Sequence, residues 1–323
     1  THPFLRYLGI FQFPMIHTFH PYCSGPWPTL PYKAWSNTQK TLHMWTQILG
    51  KIRLKAMPWQ NHSWHTALYI SPRGLTTGAM PYGNGLFELE LDFVDHRLRM
   101  ISSFSPDRSF PLASMSVAEF YRRTMDILSD EGIRIEIHPR PNEVEDNIPF
   151  ARNEHLSYYE AGRVLDFWQA CISINNVFQE FRSGFIGKCS PVHFFWGSFD
   201  LAITRFSGRR APKHPGIAPN MPKEVMQEAY SHEVSSAGFW PGSDDFPEPI
   251  FYSYCYPTPP DFKDQKILPE GAFWNDTLGE FLLPYDVVRK SEDPEGTLKE
   301  FLRSTYIAAA VTGSWDRNEL ERP

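Results

Sequence analysis

The alternation of apolar and polar positions divides the chain into long helical stripes and short strands. Trp35, Leu42, Trp45 and Leu49 recur at helical spacing and predict a helix over 32–49, with Gly50 as its stop. Val164, Phe167, Trp168, Cys171, Ile174, Phe178 and Phe181 trace a second stripe running to Gly184. Between the two the period changes. Residues 51–57 alternate Ile52, Leu54 and Ala56 with basic residues, and 62–70 form an aromatic strand-like run. In 85–94, Leu89, Leu91 and Phe93 point one way and Glu88, Glu90 and Asp92 the other, as in a half-solvated strand. Asp95-His96 predicts a turn into a strand over 97–104. Ser116 and Glu119 have capping-box spacing and open a helix through Leu128, closed at Gly132, and 133–137 reads as one more strand.

Proline, acidic residues and a loss of periodicity concentrate at 139–150, the natural joint of the chain. Beyond it Ser157 and Glu160 repeat the capping-box spacing ahead of the second long stripe. Strands follow at 187–210, 230–239 and 250–256, with a short helix at 224–228. The last helix spans 297–311, with Pro294 near its start and Gly313 past its end. Each half reads as long helix, Gly-Lys (Gly50-Lys51 and Gly187-Lys188), aromatic strand with histidine, then Ser71-Pro72-Arg73-Gly74 or Ser207-Gly208-Arg209. The fold class this predicts is α+β, with two pseudo-equivalent lobes of mainly antiparallel sheet and long packed helices, related by internal duplication. The boundaries are an N-terminal extension over 1–26, a first lobe over 27–138, a linker over 139–157, a second lobe over 158–316 and a C-terminal tail over 317–323.

Composition narrows the classes. With 323 residues, 41% hydrophobic and 15% aromatic, the chain has ample surface to bury, and 29 prolines suit many short strands and firm loops. A formal net charge of −6 and the lack of a basic stripe argue against a nucleic-acid partner. No run of eighteen apolar residues predicts a membrane-spanning helix. The start of the chain is broken by Pro3, Pro14 and Pro21 and does not read as a signal peptide, so the expected location is cytoplasmic. Cys23, Cys171, Cys189 and Cys255 lack metal-ribbon spacing and read as buried thiols.

Long segments also resemble a known family. Trp27-Pro28-Thr29-Leu30-Pro31-Tyr32, TLHMWTQILGK, NHSWH, SPRGLTT, DFVDHRL, GKCSPVHFFWGSFDLAITRFSGRRAP and EAYSHEVSSAGFWPG are similar to the bacterial and fungal family labelled domain of unknown function 5996. The resemblance runs from Trp27 to about Asp316. It implies that these segments belong together, and it implies no activity, fold or cofactor.

The chemistry therefore rests on the residues. In 187–210, Lys188, His193, Trp196, Asp200 and Arg205 are set among large apolar residues, where a charge needs a partner. His62, Trp64 and His65, then Tyr230, His232 and Glu233, occupy two further aromatic runs, and Arg73 and the paired Lys51 and Lys188 complete the set. His62 and His65 are three apart and His232 and Glu233 adjacent, so each pair diverges on a strand. That weakens a His/carboxylate metal site, and no nucleophile elbow, P-loop or dinucleotide fingerprint is present.

The reading that follows is an intracellular enzyme of isomerase, cyclase or hydrolase type. It acts on a small organic molecule by metal-free acid–base chemistry in an aromatic-lined cleft, with no cofactor. His193, His232, Glu233, Asp200 and His65 are the catalytic candidates. Trp196, Arg205, Lys188, Tyr230, Trp64, His62 and Arg73 are the ligand-binding candidates, with Arg205 or Lys188 holding an anionic group. The alternatives are a non-catalytic small-molecule binding protein and a His/carboxylate metal-dependent enzyme. His193 and His232 are expected to meet across one pocket, and Asp200 to find a cation in His65 or Lys188. The pattern specifies no oligomeric state.

Overall fold

The structure, a computed structural model, describes residues 27–145, 147–216 and 220–322. The expectations for 1–26, including Cys23, lie outside the described residues. Helix α1 (Tyr32–Ala56) is the element on which both halves close. Trp35, Leu42, Trp45, Ile48, Leu49 and Ile52 are at most 2% exposed. Several polar residues on its other faces are buried too, and three of them bond loops. Gln39 donates to the Gly242 carbonyl at 2.8 Å, and Thr38 Oγ accepts from the Glu160 amide at 3.1 Å. Gln47 exchanges two hydrogen bonds with the Asn142 main chain, at 2.7 and 2.9 Å.

The first sheet contains β1 (Tyr69–Ile70), β2 (Gly74–Thr76), β3 (Met80–Tyr82), β4 (Gly85–Asp92), β5 (Arg97–Ser102) and β6 (Arg108–Pro111). Its order is β1-β2-β4-β5-β6, with β3 also on β4. Phe87, Leu89 and Leu91 of β4 face the core as the alternation predicts. Glu90 and Asp92 on the other face are buried as well, because Ser71 bonds the first at 2.7 Å and Arg73 the second. Helix α2 (Val117–Asp130) opens on Ser116, whose hydroxyl accepts from the Glu119 amide.

After α3 (Ala161–Ser183) the second sheet begins with β7 (His193–Phe195) and β8 (Asp200–Arg210). It continues, past the short α4 (Lys223–Ala229), with β9 (His232–Trp240), β10 (Ile250–Tyr256), β11 (Phe273–Asn275) and β12 (Glu280–Pro284). Its order is β11-β12-β10-β9-β8-β7, and α5 (Tyr285–Arg289), α6 (Pro294–Thr312) and α7 (Arg317–Leu320) complete the chain. Every strand pairing in both sheets is antiparallel, and the class is α+β. Leu68 and Phe194 exchange main-chain hydrogen bonds at 2.9 and 2.7 Å, which joins the sheets edge to edge. Among the described residues no helix is long and apolar enough to cross a membrane.

Several local expectations are corrected. Residues 51–56 continue α1, so Gly50 lies inside the helix, where its lack of a Cβ leaves room for the Trp196 indole. Residues 62–68 form no strand: His62 and Ser63 take left-handed backbone, each at φ 58°, in a tight turn over Asn61–Ser63. Ile133 and Ile135 are buried in alternation with exposed Arg134 and Glu136, but among the described residues no neighbouring strand pairs with them. The Ser157–Glu160 spacing makes no cap, since α3 starts at Ala161 without a side-chain cap. The paired Gly-Lys landmarks are not equivalent, one lying within α1 and the other in a loop after α3. Both halves do run from a long helix into a meandering sheet, and they share one large core, beside a small separate cluster of Phe185, Tyr306, Ala310 and Trp315.

Candidate functional site

Register and pleat decide which side chains share a face of the second sheet. Phe195 pairs with Asp200, His193 with Ala202, Ala202 with Gly238, and Gly238 with Tyr252. His193, Asp200, Thr204, Ser236, Tyr252 and Tyr254 therefore lie on one face. Leu201, Ile203, Phe239 and Phe251 lie on the other, at most 1% exposed in the core shared with α3 and α6. The polar face is covered by loops from both halves of the chain, among them the segments around Glu143 and His62.

Asp200 is the floor of this face, 5% exposed. Its carboxylate accepts from the Ser198 hydroxyl at 2.5 Å and from the Tyr252 hydroxyl. Tyr252 reaches it by lying across β9 at Gly238, where a Cβ would overlap the phenol ring. Phe199, beside Asp200, takes left-handed backbone at φ 61°, and Glu143 does the same at φ 59°. Glu143 sits against Gly197, which has no Cβ to exclude it. Glu280 comes from the start of β12. Tyr230 and Tyr254 share a hydrogen bond between hydroxyls at 2.8 Å, and the rings of Tyr252 and Tyr254 stack at 6.2 Å.

The electrostatics of this end are unusual. Burial, then the nearby Asp200 charge, push the half-buried Glu143 and Glu280 carboxyls each up to about 7. Burial also raises Asp200, against the pull of the Ser198 and Tyr252 hydroxyls. Among the described residues no cation acts on Glu143 or Glu280. Like charges in a partly desolvated site share protons, so these carboxyls are poised to give and take protons near neutral pH. Among the described residues no group of three or more His, Cys, Asp or Glu is placed to hold a metal ion.

The residues singled out from sequence divide among several places. Asp200 is buried as expected, but its partners are hydroxyls, so the expected cation from His65 or Lys188 is corrected. His193 shares its face, is fully buried against Phe195 at 4.3 Å, and among the described residues has no hydrogen-bond partner on either ring nitrogen. Burial lowers its pKa to about 3. His232 does not meet it. It pairs with Arg210, six residues along β9 from Gly238, roughly 20 Å away at the rise of a strand.

His232 instead joins His62, Trp64 and Lys188 at the far end of the same face. Tyr230 lies at the carboxylate end, where Glu280, Asp200 and Glu143 all act on it. His65 is buried under Trp59, with a ring distance of 4.7 Å, and accepts from the Gln60 amide at 3.2 Å. Glu233 points to the opposite face, as its adjacency to His232 predicts. There it bonds Ser207 and Arg209 at 2.8 and 2.7 Å and borders a separate cavity of about 310 Å³ with Cys255, Tyr256 and Trp315.

Arg205 also faces away from Asp200. Its guanidinium is boxed by Phe181, Tyr306 and Phe185 at 3.4, 4.4 and 4.9 Å and donates to the Phe181 carbonyl, so it ties β8 to the helices. Trp196 donates to the Thr66 carbonyl at 2.9 Å, and Lys51 lies over its ring and donates to Asn142. Arg73 belongs to the first sheet, where it pairs with Asp92 and Asp95.

Glu143, Glu280, Tyr252 and Tyr254 escaped the sequence reading. The alternating tyrosines of IFYSYCY carried a signal, a polar-tipped aromatic face with period two. Glu143, inside an irregular acidic loop, carried none. No curated protein and no solved structure is matched by this chain. The loop with Glu143, the strand with Asp200 and the strand with Glu280 all fall within the span 27–322, which matches the model of a family of unknown function, DUF5996. On that match over nearly its whole length, the chain belongs to the DUF5996 family.

Proposed function

We propose that the protein is an enzyme that acts on a small organic molecule by acid–base chemistry, and that the reacting centre is Glu143, Asp200 and Glu280. The observation that carries this is a buried carboxylate, Asp200, whose charge acts on two half-buried carboxyls, one seated against Gly197 and one at the start of β12, each pushed to about 7, with no cation acting on that pair among the described residues. One of the pair can be protonated while the other is ionised, which supplies an acid and a base at the same pH. Asp200, fixed by Ser198 and Tyr252, raises both and holds the tyrosine in place. Tyr230 and Tyr254 offer hydroxyls to the substrate, and the tyrosine rings cover its apolar part. Cys171, Cys189 and Cys255 are free thiols, which fits a cytoplasmic enzyme.

The test is to incubate the full chain with a pooled extract of small metabolites and follow composition by mass spectrometry. Wild type should consume at least one species, and Glu143→Gln or Glu280→Gln should slow that consumption by about a hundredfold or more. The wild-type rate should follow a bell in pH centred near 7. A species that is retained on the protein through ultrafiltration but never consumed would make this a binding protein. Consumption indifferent to all three carboxyls would move the site elsewhere.

A further inference from the structure

The far end of the polar face gathers positive charge. Lys188 donates from its ammonium to His62 Nε2 at 2.7 Å, since His62 Nδ1 already donates to the Ala229 carbonyl at 2.9 Å. The ammonium lies over Trp64 and Phe206, 5.3 and 5.0 Å from the ring centroids. The His232 ring is 6.0 Å from that of His62, and Arg210 pairs with His232 across the strands. Lys188 and Arg210 both act on His232 as repelling charges.

None of Lys188, Arg210 and His232 forms an ion pair among the described residues. Glu228, the acid that acts on His62, has both oxygens at 3.0 Å from the Trp59 indole nitrogen. The turn that presents His62 is held in left-handed backbone at two successive non-glycine residues, and the buried Ser63 hydroxyl oxygen has no partner among the described residues. A net negative chain that brings three cationic or protonatable groups together, none of them ion-paired to an acid among the described residues, has built a place for an anion.

We infer that Lys188, His232 and Arg210 form an oxyanion-binding site, for the phosphate or carboxylate group of a small molecule. His62 is its positioning residue. Anchored to α4, it holds the Lys188 ammonium over the Trp64 ring, from where the remaining N–H bonds of Lys188 reach outward. The inference does not depend on acid–base chemistry at Asp200.

The experiment titrates inorganic phosphate, and separately acetate, into the full chain at low ionic strength, by calorimetry and by the imidazole resonances of His232. Saturable one-site binding that raises the His232 pKa and weakens with added salt is expected. Lys188→Gln and Arg210→Gln should each weaken it by about tenfold, the scale of one charge-assisted hydrogen bond. Both side chains are exposed, so melting curves should match wild type and report that the fold is kept. Tighter binding of phosphate assigns a phosphate ester, and equal or tighter binding of acetate assigns a carboxylate. Glu143→Gln should leave the affinity unchanged, which separates this site from the carboxylate end. Absence of saturation by either anion, or binding undiminished in Lys188→Gln, would overturn the inference.

Discussion

Asp200 sustains its burial on two hydroxyls, those of Ser198 and Tyr252, and its charge acts on the carboxyls of Glu143 and Glu280. Removing a buried charge that has a cation costs several kcal/mol, because the cation is left unpaired. Here nothing is left unpaired except a hydroxyl. Asp200→Asn keeps an acceptor for Tyr252 and relieves Glu143 and Glu280, so its stability in denaturant melts at pH 8 should be within about 1 kcal/mol of wild type. The carboxyl resonances of Glu143 and Glu280 should then titrate below 7, toward the ordinary 4.5. A loss above roughly 3 kcal/mol would reveal a cation partner after all.

At the scale of an element, Gly50 shows two local rules in competition. Glycine inside a helix costs about 1 kcal/mol relative to alanine, so propensity favours Gly50→Ala. The space at α1 is already taken by the Trp196 indole, and overpacking of a core costs about 1–3 kcal/mol. Packing outweighs propensity, because Trp196 is itself pinned by its bond to Thr66 and by Lys51 over its ring. Gly50→Ala should lower stability by roughly 1–2 kcal/mol in denaturant melts. A variant more stable than wild type would show that Trp196 can move aside.

Across the whole molecule, Glu143, Asp200 and Glu280 come from a loop and two strands, so their coupling exists only in the folded state. Glu143 and Glu280 hold protons more tightly when folded than at their ordinary 4.5. Their contribution to stability is complete below pH 4.5 and is lost as pH rises through about 7. His43 and His193 act in the opposite sense. Burial lowers them to about 4 and about 3, so folding resists their protonation and stability from them grows as pH rises toward 6.5. The total curve mixes the two, and the informative quantity is the difference between variants. Glu143→Gln and Glu280→Gln should each be more stable than wild type at pH 8 by roughly 1–2 kcal/mol and lose that advantage by pH 4.5. An advantage that persists unchanged at pH 4.5 would mean that these carboxyls titrate normally.

Local order was legible in the chain itself. The stripe from Val164 to Phe181, the Ser116–Glu119 cap and the run Ile250–Tyr256 each settle their own conformation through period or capping chemistry, and the structure reproduces them. The divergence of His232 from Glu233 and of Asp200 from Arg205 also follows from strand period alone. Contacts between segments were not legible. Residues 51–56 alternate like a strand, yet they extend α1, which buries Lys51, Ile52 and Arg53 and leaves Leu54 and Lys55 exposed. Ile133 and Ile135 alternate like a strand and lack only a neighbour, which no local pattern records. The candidate site is the extreme case. His193 and His232 share a face but are separated by the register of three strands, while Glu143 comes from a loop to lie against Gly197, within reach of the Asp200 charge. Register and loop closure are set by the sum of many weak long-range contacts, and those appear only when the tertiary structure has formed.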